Sequence, residues 1–552
     1  MKINLFRGVS FHFLPLMLGL VLFAASLTPS LTPRSWEFQG ALGGVVTAMG
    51  YLTGRAVQLL WAALGLPPLG GRAARIAAVL VTLAALGSWI FAVARSTDWQ
   101  NSIRERVAMA PIESSHLIPM IGTALLVFLA CFALGLLIRL LFHTLRKRLL
   151  RIMPERTANV LGVAGAVLLL FILTMDGLVP QVIRMLDSSY AEAQSLFDTA
   201  PPAPGDPRKP GSAESLVDWQ LMGQPGRNFI ERGPDAARIS SLTGRPAMDP
   251  IRVYVGRAQS KDPQVRAEIA LEELKRLGAF ERKILVVASP TGTGWLDPGA
   301  QDSIEYLQGG DVATVATQYS FMQSPMALIF ETSTGLDQAE ATLNTIYRYW
   351  RGLPEDSRPE LYLHGLSLGA WSSMYALNFF EVFADPIQGA LWAGPPFVST
   401  KWRQITAARN PGSPFVSPVI ADGSLVRFMT QFGGLERATA PWSAIRVVYL
   451  QHASDGIVFY EPASFWRAPR WMREPPAPDV SPLMRFLPIV TQFQLALDML
   501  LATDLPVGFG HSYAAHEYID AWIALTDPEG WTEDDTAALK ARCTREVLGC
   551  EG

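Results

Sequence analysis

The sequence has few cysteines and few charged residues for its length. Three cysteines among 552 residues cannot build a disulfide scaffold or a thiolate metal site. Only 17% of the residues are charged, the net charge is -3 and no long Lys/Arg block occurs, which argues against nucleic-acid binding. His-Glu-x-x-His and the Gly-Lys-Ser/Thr ending of a phosphate-binding loop are both missing. We therefore expect neither a metal nor a cofactor.

Two of the cysteines, Cys543 and Cys550, lie near the C-terminus. One helix through both would hold them roughly 10 Å apart, too far for a disulfide. If Gly549 ends that helix, a disulfide becomes possible in an oxidising compartment. The sequence leaves both alternatives open, whereas Cys131 lies in an apolar run and is expected to pack there.

Apolar residues are concentrated in the first third of the chain. A chain of 552 residues is too long for one ordinary core, which predicts two or more domains. Five apolar stretches precede residue 180, and each approaches the roughly 20 residues that a helix needs to cross a bilayer. The sequence therefore predicts an all-α transmembrane domain over residues 1–180. Its five spans are approximately 10–28, 40–62, 76–94, 117–138 and 157–175.

Basic residues beside these stretches predict an orientation. The first stretch follows Lys2 and Arg7, as a signal peptide would, but further spans come directly after it, so we interpret it as a retained helix. Short loops rich in Lys and Arg are typical of the cytoplasmic side. The prediction is a multi-pass protein of the cytoplasmic membrane, with everything beyond residue 180 periplasmic or extracellular. The basic side carries Lys2, Arg7, Arg72, Arg75, Arg146, Lys147, Arg148, Arg151 and Arg156.

The second stretch contains glycines and one arginine of interest. Gly40/Gly44 and Gly50/Gly54 have the spacing that allows helices to approach closely. Arg55 is a costly cation at that depth, and we expect it to snorkel or to serve a structural role. No carboxylate lies well inside any stretch, which argues against a transporter. The helical domain is therefore predicted to anchor the chain in the lipid bilayer.

A segment rich in Pro and Gly follows the helical domain. Residues 200–212 have too much of both to pack, which predicts an extended linker over 181–215. From about residue 250, β-branched runs alternate with helical patterns, and such alternation predicts a mostly parallel sheet covered by helices. We expect an α/β catalytic domain over 216–552. The predicted strands are Ile251–Val255, Lys283–Ala288, Val312–Tyr319, Leu361–His364, Ala390–Ala393 and Arg446–Gln451.

A candidate nucleophile follows the fourth predicted strand. Leu361–His364 runs into Gly365-Leu-Ser367-Leu-Gly369, and a helical pattern comes next. This is the context of a nucleophile elbow, in which serine occupies a strained turn and glycines leave room for neighbouring backbone. The N-terminus of the following helix directs free N–H groups at the reacting carbonyl. Ser367 is therefore the predicted nucleophile.

An acid and a histidine follow Ser367 in the order that the α/β-hydrolase fold requires. The strand Arg446–Gln451 ends in His-Ala-Ser-Asp455-Gly, which places a carboxylate beyond the carboxyl edge of the second strand after the nucleophile. His511 lies in a Gly-bounded loop before a predicted helix, where a mobile general base can reach the serine. The order Ser367, Asp455, His511 predicts a catalytic triad.

Other roles are open for the residues around this triad. Asp455 could cap a loop, as Asp often does. His452 is an alternative base, although a residue beside the acid more often makes local hydrogen bonds. His516 is expected in a surface or core role on the closing helix, and His364 is expected to pack beneath the elbow.

Backbone donors for an oxyanion are predicted at two places. The first is the N–H of Leu368, directly after the nucleophile. The second should come from the loop after Lys283–Ala288, where Thr291 and Gly292 are the candidates because glycines allow backbone N–H groups to face the oxyanion. An ordinary glycine turn explains that loop equally well.

Six motifs stand out along the chain: Ser26–Arg34, Ser215–Trp219, Thr291–Pro298, the elbow, Gln451–Asp455 and Gly510–Tyr513. Together they resemble a bacterial membrane-bound α/β-hydrolase family, whose members join a multi-span N-terminal domain to an outer catalytic domain. The resemblance implies the fold and serine chemistry, but no substrate. Relatives commonly carry an acidic residue before the serine, where this chain has Leu366, so its substrate preference is expected to differ.

Two long insertions, about 395–445 and 456–507, flank the acid and are rich in Trp and Arg, which suggests lids. Within the second, Phe486–Leu497 is apolar but too short to span a membrane, so a buried helix or an acyl groove is expected. A site beside a bilayer predicts an ester of a lipid, glycolipid or envelope polymer as substrate, with hydrolysis or acyl transfer through one acyl-enzyme. The alternatives are a non-catalytic envelope scaffold that retains the fold and a serine peptidase.

Overall fold

The computed structural model describes residues 2–6, 9–67, 70–171, 201–322, 332–378, 382, 384–545 and 548–550. The chain forms two compact units. Unit 1 comprises Met1–Ile183 and Tyr460–Leu501, and unit 2 comprises Arg184–Phe459 and Ala502–Gly552. The predicted second insertion, 456–507, is therefore divided: its central part belongs to the unit of the N-terminal helices and its ends belong to unit 2.

The secondary structure has a helical region followed by alternating strands and helices. An antiparallel pair of short strands precedes the first helix, so the expectation of an all-α domain is corrected for residues 2–12. The strands are β1 (Lys2–Phe6), β2 (Val9–His12), β3 (Ile251–Val255), β4 (Ile284–Ser289), β5 (Val312–Thr317), β6 (Glu360–Leu366), β7 (Gly389–Ala393), β8 (Val426–Met429) and β9 (Arg446–Leu450). The helices are α1 (Phe13–Ser26), α2 (Trp36–Ala63), α3 (Gly71–Arg106), α4 (Leu117–Leu149), α5 (Glu155–Phe171), α6 (Gly223–Glu231), α7 (Ala236–Thr243), α8 (Pro263–Arg276), α9 (Pro298–Leu307), α10 (Thr332–Arg351), α11 (Leu368–Ala376), α12 (Thr400–Ala407), α13 (Gly456–Phe459), α14 (Val490–Leu500), α15 (Ala515–Thr526) and α16 (Glu533–Arg542).

Helices α1–α5 occupy the five apolar stretches, but the expectation of five spans is corrected. Among the described residues, only α3 and α4 are long and apolar enough to cross a membrane. Helix α1 has 14 residues, about 21 Å of helix, which is short of the roughly 30 Å hydrocarbon core. It begins late because β2 occupies the residues before it. Helix α2 carries Glu37 and Arg55, and residues 172–175 of the fifth predicted span lie outside the described residues.

Glycines on α2 allow two neighbouring helices to approach its backbone. A Cβ on Gly40 or Gly44 would lie 2.6 Å from a backbone carbonyl oxygen of α4. A Cβ on Gly50 or Gly54 would lie 2.7 Å from a Cα atom of α1. Real Cβ atoms do not tolerate such distances, so the predicted role of these glycines in helix packing is confirmed.

The inserted part of unit 1 supplies a buried helix. Val490 at the start of α14 is fully buried in a cluster with Leu42 and Val46 of α2. The partly buried Leu487 and Phe493 pack against the same cluster. The apolar segment predicted within Phe486–Leu497 is therefore a core element of unit 1.

Unit 2 is built on a parallel sheet of seven strands in the order β3-β5-β4-β6-β7-β9-β8. Every neighbouring pair is parallel, as the alternation of strands and helices predicts. The six predicted strands are all present. The seventh, β8, lies in the predicted insertion 395–445 and pairs with β9 at the edge of the sheet, so that insertion extends the sheet.

The described part of the predicted linker packs on unit 2. The Trp219 indole N–H donates to the carbonyl of Pro201 at 2.9 Å, and Arg276 donates to the carbonyl of Pro207 at 2.6 Å. A Cβ on Gly211 would lie 2.4 Å from the Trp219 ring, so only glycine allows this approach. The expectation of an extended linker is therefore wrong for residues 201–215, while 181–200 lie outside the described residues.

The C-terminal cysteines form a disulfide. Helix α16 ends at Arg542, so Cys543 and Cys550 do not share a helix, and their Cα atoms are 4.1 Å apart. Gly549 has a φ of +95°, a conformation that glycine adopts without strain. The N–H of Cys550 donates to the Asp302 carboxylate at 2.9 Å, which ties the disulfide loop to α9.

Candidate active site

Ser367 lies between β6 and α11 in a strained backbone conformation. Its φ of 59° and ψ of -125° are unfavourable for a residue with a side chain. A Cβ on Gly365 would lie 2.3 Å from the carbonyl carbon of Gly369, and a Cβ on Gly369 would lie 2.0 Å from the carbonyl oxygen of Ser289. Both glycines are therefore needed for the tight turn. The Ser367 N–H donates to the Ala393 carbonyl at 3.0 Å, which fixes the turn against β7.

The close approach of Gly369 to Ser289 brings the loop after β4 beside the start of α11. No described residue accepts a hydrogen bond from the N–H of Leu368 or Gly292, so both donors remain available. The N–H of Thr291 already donates to the Trp295 carbonyl at 3.0 Å. The expectation that Thr291 is an oxyanion donor is therefore corrected, because the N–H of Thr291 already closes the turn of its own loop.

Asp455 follows β9 and is fully buried. Its Oδ1 accepts the N–H of Ile457 at 2.9 Å at the start of α13. Its Oδ2 accepts a hydrogen bond from His511 Nδ1 at 2.6 Å. The carboxylate thus caps a helix and also orients the histidine, which combines the two roles that the sequence left open.

His511 is held by Asp455 with its other ring nitrogen unused. Nε2 is buried and has no hydrogen-bond partner among the described residues. Gly394, directly after the residue that binds the Ser367 N–H, contacts the ring: a Cβ there would lie 2.7 Å from His511 Cε1. The structure places His511 and Ser367 beside the same end of β7 but contains no hydrogen bond between Nε2 and the Ser367 hydroxyl. Such bonds are often long before substrate binds.

Tyr513 is a site residue that the sequence reasoning did not assign. Its hydroxyl donates to Asp455 Oδ2 at 2.8 Å, the same oxygen that His511 uses. Burial, and next the charge of Asp455, raises the pKa of the Tyr513 hydroxyl well above its usual value, so it remains a protonated donor. The residue lies in the motif Gly510–Tyr513, but spacing alone does not reveal where its side chain points.

His452 holds the loop that carries His511. Its Nδ1 lies 2.9 Å from the Gly510 carbonyl oxygen and its Nε2 lies 3.0 Å from Glu517 Oε2. Its ring stacks on Tyr513 with centroids 4.2 Å apart. The hydroxyl of Ser454 accepts the Gly510 N–H at 2.9 Å. Since both ring nitrogens are engaged, His452 positions the loop, and the local hydrogen-bonding role anticipated for it is the one observed.

Two further histidines lie away from the reacting groups. His364 is buried in β6 beneath the elbow, with Nδ1 3.0 Å from the Leu391 carbonyl oxygen. Burial lowers the pKa of the His364 imidazole to about 4, so it is neutral at pH 7. His516 on α15 lies with Nε2 2.7 Å from the Lys540 carbonyl oxygen. Both have the packing roles that the sequence predicts.

Asp297, in the motif Thr291–Pro298, is a buried carboxyl with a structural role. It accepts the Gly299 N–H at 2.9 Å, which caps α9, and the Tyr518 hydroxyl at 3.1 Å. Burial raises the pKa of the Asp297 carboxyl to about 7. Within the described part of the chain, no group of three or more His, Cys, Asp or Glu side chains is placed to hold a metal ion.

Comparison with known proteins agrees with this architecture. Residues 251–539 match the sequence profile of an alpha/beta-hydrolase family, and residues 27–234 match the profile of an alpha/beta-hydrolase family N-terminus. Neither a curated protein nor a solved structure matches the chain. The first profile covers more than half of the sequence, and the parallel sheet and elbow turn have the form that such a match implies. The chain therefore belongs to the α/β-hydrolase family.

Proposed function

We propose that this protein is a membrane-anchored serine hydrolase or acyltransferase that works through an acyl-enzyme on Ser367. The observation that carries the proposal is the 2.6 Å hydrogen bond between His511 Nδ1 and Asp455. It leaves Nε2 without a partner among the described residues, at the strand end that also fixes the elbow serine. A histidine oriented in this way by a carboxylate is arranged as a general base.

The proposed reaction begins when the Ser367 hydroxyl oxygen bonds to the substrate carbonyl carbon. His511 Nε2 takes the hydroxyl proton in the same step. The N–H groups of Leu368 and Gly292 stabilise the oxyanion. Collapse of the tetrahedral intermediate breaks the ester bond, and the leaving alcohol takes the proton from His511. Water or a second alcohol then attacks the acyl carbon and gives its proton to His511. The bond between the acyl carbon and Ser367 Oγ breaks, His511 returns the proton to Ser367, and the acid or the new ester leaves.

We propose an acyl ester of a lipid, glycolipid or envelope polymer as substrate. The two candidate spans, α3 and α4, support attachment to a bilayer, where such esters are concentrated. The Cys543–Cys550 disulfide supports an oxidising compartment, because disulfides rarely persist in a reducing cytosol. We therefore propose a multi-pass protein of the cytoplasmic membrane with unit 2 on the periplasmic or extracellular side.

A fluorophosphonate probe tests the enzyme proposal on the purified full-length protein. We expect covalent labelling of Ser367, identified by peptide mapping, and its loss in Ser367→Ala. His511→Ala should slow the labelling about 1,000-fold, whereas His516→Ala, a histidine outside the site, should leave it unchanged. A folded protein that is not labelled would contradict the proposal and favour a non-catalytic scaffold. Faster turnover of peptide amides than of acyl esters would favour a peptidase.

A further inference from the structure

A large groove lies between α2 and α4 of unit 1. The helices are in backbone contact at Gly40 and Gly44. Further along, Tyr51 of α2 meets Phe128 and Phe132 of α4 edge-on, with ring centroids 6.3 and 5.7 Å away. The helices therefore run in the same direction, with bulky side chains between them beyond the glycines. A cavity of about 790 Å³ opens there, within the roughly 300–1,000 Å³ of small-molecule sites.

The groove combines apolar walls with two arginines at one end. Arg55 of α2 and Arg139 and His143 of α4 all line it, beyond the level of Tyr51. No Asp or Glu is among its described lining residues. The walls are apolar and include Val45, Met49, Leu52, Leu134 and Phe142.

Each of the two arginines has a side-chain hydrogen bond within its own helix. Arg55 donates to the Gln58 side chain at 2.8 Å, and Arg139 donates to His143 at 3.3 Å. Neither guanidinium forms an ion pair with a carboxylate in the described part of the chain. Arginine remains charged at any physiological pH, and unpaired charges are costly near the hydrocarbon of a membrane. An anion bound between the two arginines would compensate both charges.

We propose that this groove binds one anionic phospholipid, with its phosphate between Arg55 and Arg139 and one acyl chain along the apolar walls. The inference rests on the proposed membrane attachment. Guanidinium groups suit phosphate because they donate two parallel hydrogen bonds. A zwitterionic lipid fits less well, since its ammonium group would lie beside two arginines without a carboxylate.

Native mass spectrometry of the full-length protein in detergent tests this, with phosphatidylglycerol or phosphatidylcholine added. We expect wild type to retain one phosphatidylglycerol at about one-tenth of the concentration required for phosphatidylcholine. The double variant Arg55→Gln/Arg139→Gln should lose this preference. Arg72→Gln/Arg75→Gln, on α3 and outside the groove, should keep it. Met49→Trp fills the apolar wall without changing charge and should weaken retention of phosphatidylglycerol about tenfold.

Three outcomes would overturn the inference: equal retention of both lipids, unchanged retention in Arg55→Gln/Arg139→Gln, or displacement of the lipid by millimolar inorganic phosphate, which would indicate a site for a soluble anion. Fluorophosphonate labelling of the same samples separates this inference from the enzyme proposal. Labelling of Ser367 without lipid selectivity contradicts only the proposed binding of a lipid in the groove. Lipid selectivity without labelling contradicts only the enzyme proposal. Flotation with liposomes checks membrane attachment independently of both.

Discussion

The Asp498 carboxylate accepts a hydrogen bond from the Ser30 hydroxyl at 2.7 Å, across 468 positions of sequence. The same carboxylate accepts the Thr32 hydroxyl at 2.7 Å and the N–H groups of Leu31 and Thr32 at 3.0 and 3.2 Å. Asp498 and Ser30 are both fully buried. The inserted helix α14 is thus bound by polar contacts to the loop between α1 and α2, in addition to its apolar packing.

Asp498→Ala should destabilise unit 1. The substitution leaves several buried donors without an acceptor, and we expect a loss of about 3 kcal/mol. Tryptophan fluorescence during thermal unfolding of the full-length protein in detergent measures the effect as a lower midpoint. Asp504→Ala, at an exposed carboxylate just after the segment of unit 1 that ends at Leu501, is the matched control. Equal midpoints for the two variants would show that the hydrogen bonds to Asp498 do not stabilise the fold.

Asp297 should make stability depend on pH. Because burial raises the pKa of its carboxyl to about 7, the folded protein binds this proton more tightly than the unfolded chain. The stabilisation is present below about pH 4 and is lost as the pH rises through about 7, with a total of roughly 4 kcal/mol. Asp297→Asn should remove this dependence in unfolding measured from pH 5 to 8. Asp337→Asn, at an exposed position, should retain it, and an unchanged slope in Asp297→Asn would contradict the assignment.

Tyr513→Phe should slow the chemical step without preventing folding. The variant loses only the hydroxyl that donates to Asp455, and a hydrogen bond to a charged group of this kind corresponds to about a tenfold loss in rate. The rate of Ser367 labelling and kcat on an acyl ester should fall together, while KM stays constant. Tyr375→Phe, at an exposed tyrosine, should behave as wild type. Full activity in Tyr513→Phe would exclude a positioning role.

The disulfide provides a test of compartment. In intact cells, the variant Cys131→Ala should not react with a thiol reagent before reduction, because Cys543 and Cys550 are paired. After reduction it should take up two equivalents of the reagent. Cys543→Ser should lower stability by about 2.5 kcal/mol through the greater entropy of the unfolded chain. Two reactive thiols before reduction would place unit 2 in a reducing compartment and contradict the proposed orientation.

Much of the candidate site could be predicted from the sequence because strand order determines where chain segments meet. In a parallel sheet the carboxyl ends of strands share one edge, so residues that follow β6 and β9 come together. Asp455 and His511 do meet there. The contributions of Gly394 and Tyr513 could not be predicted, because they depend on the direction of side chains and on contacts between loops. Thr291 was misassigned since a glycine-rich loop does not reveal which N–H groups close its own turn.

The division into units was harder to predict. Residues 460–501 follow Asp455 in sequence, and proximity along the chain suggested an attachment to the catalytic fold. Their apolar face instead packs with α2. Local sequence patterns do not predict such a contact between distant segments. The prediction of an extended linker over the segment 201–212 failed for a different reason. Its prolines and glycines indicate a linker by composition, yet Trp219 covers it and Arg276 binds its carbonyl.

The interrupted fold of unit 2 restricts how this protein can be cut or recombined. Unit 1 takes part of its core from a segment that begins after Phe459 and ends at Leu501. A break in the gene anywhere between the helices and β3 would therefore yield two fragments, one with an exposed apolar surface on α2 and the other with an unpartnered α14. Domain shuffling cannot exchange the N-terminal helices alone, and we expect the two parts to be inherited together.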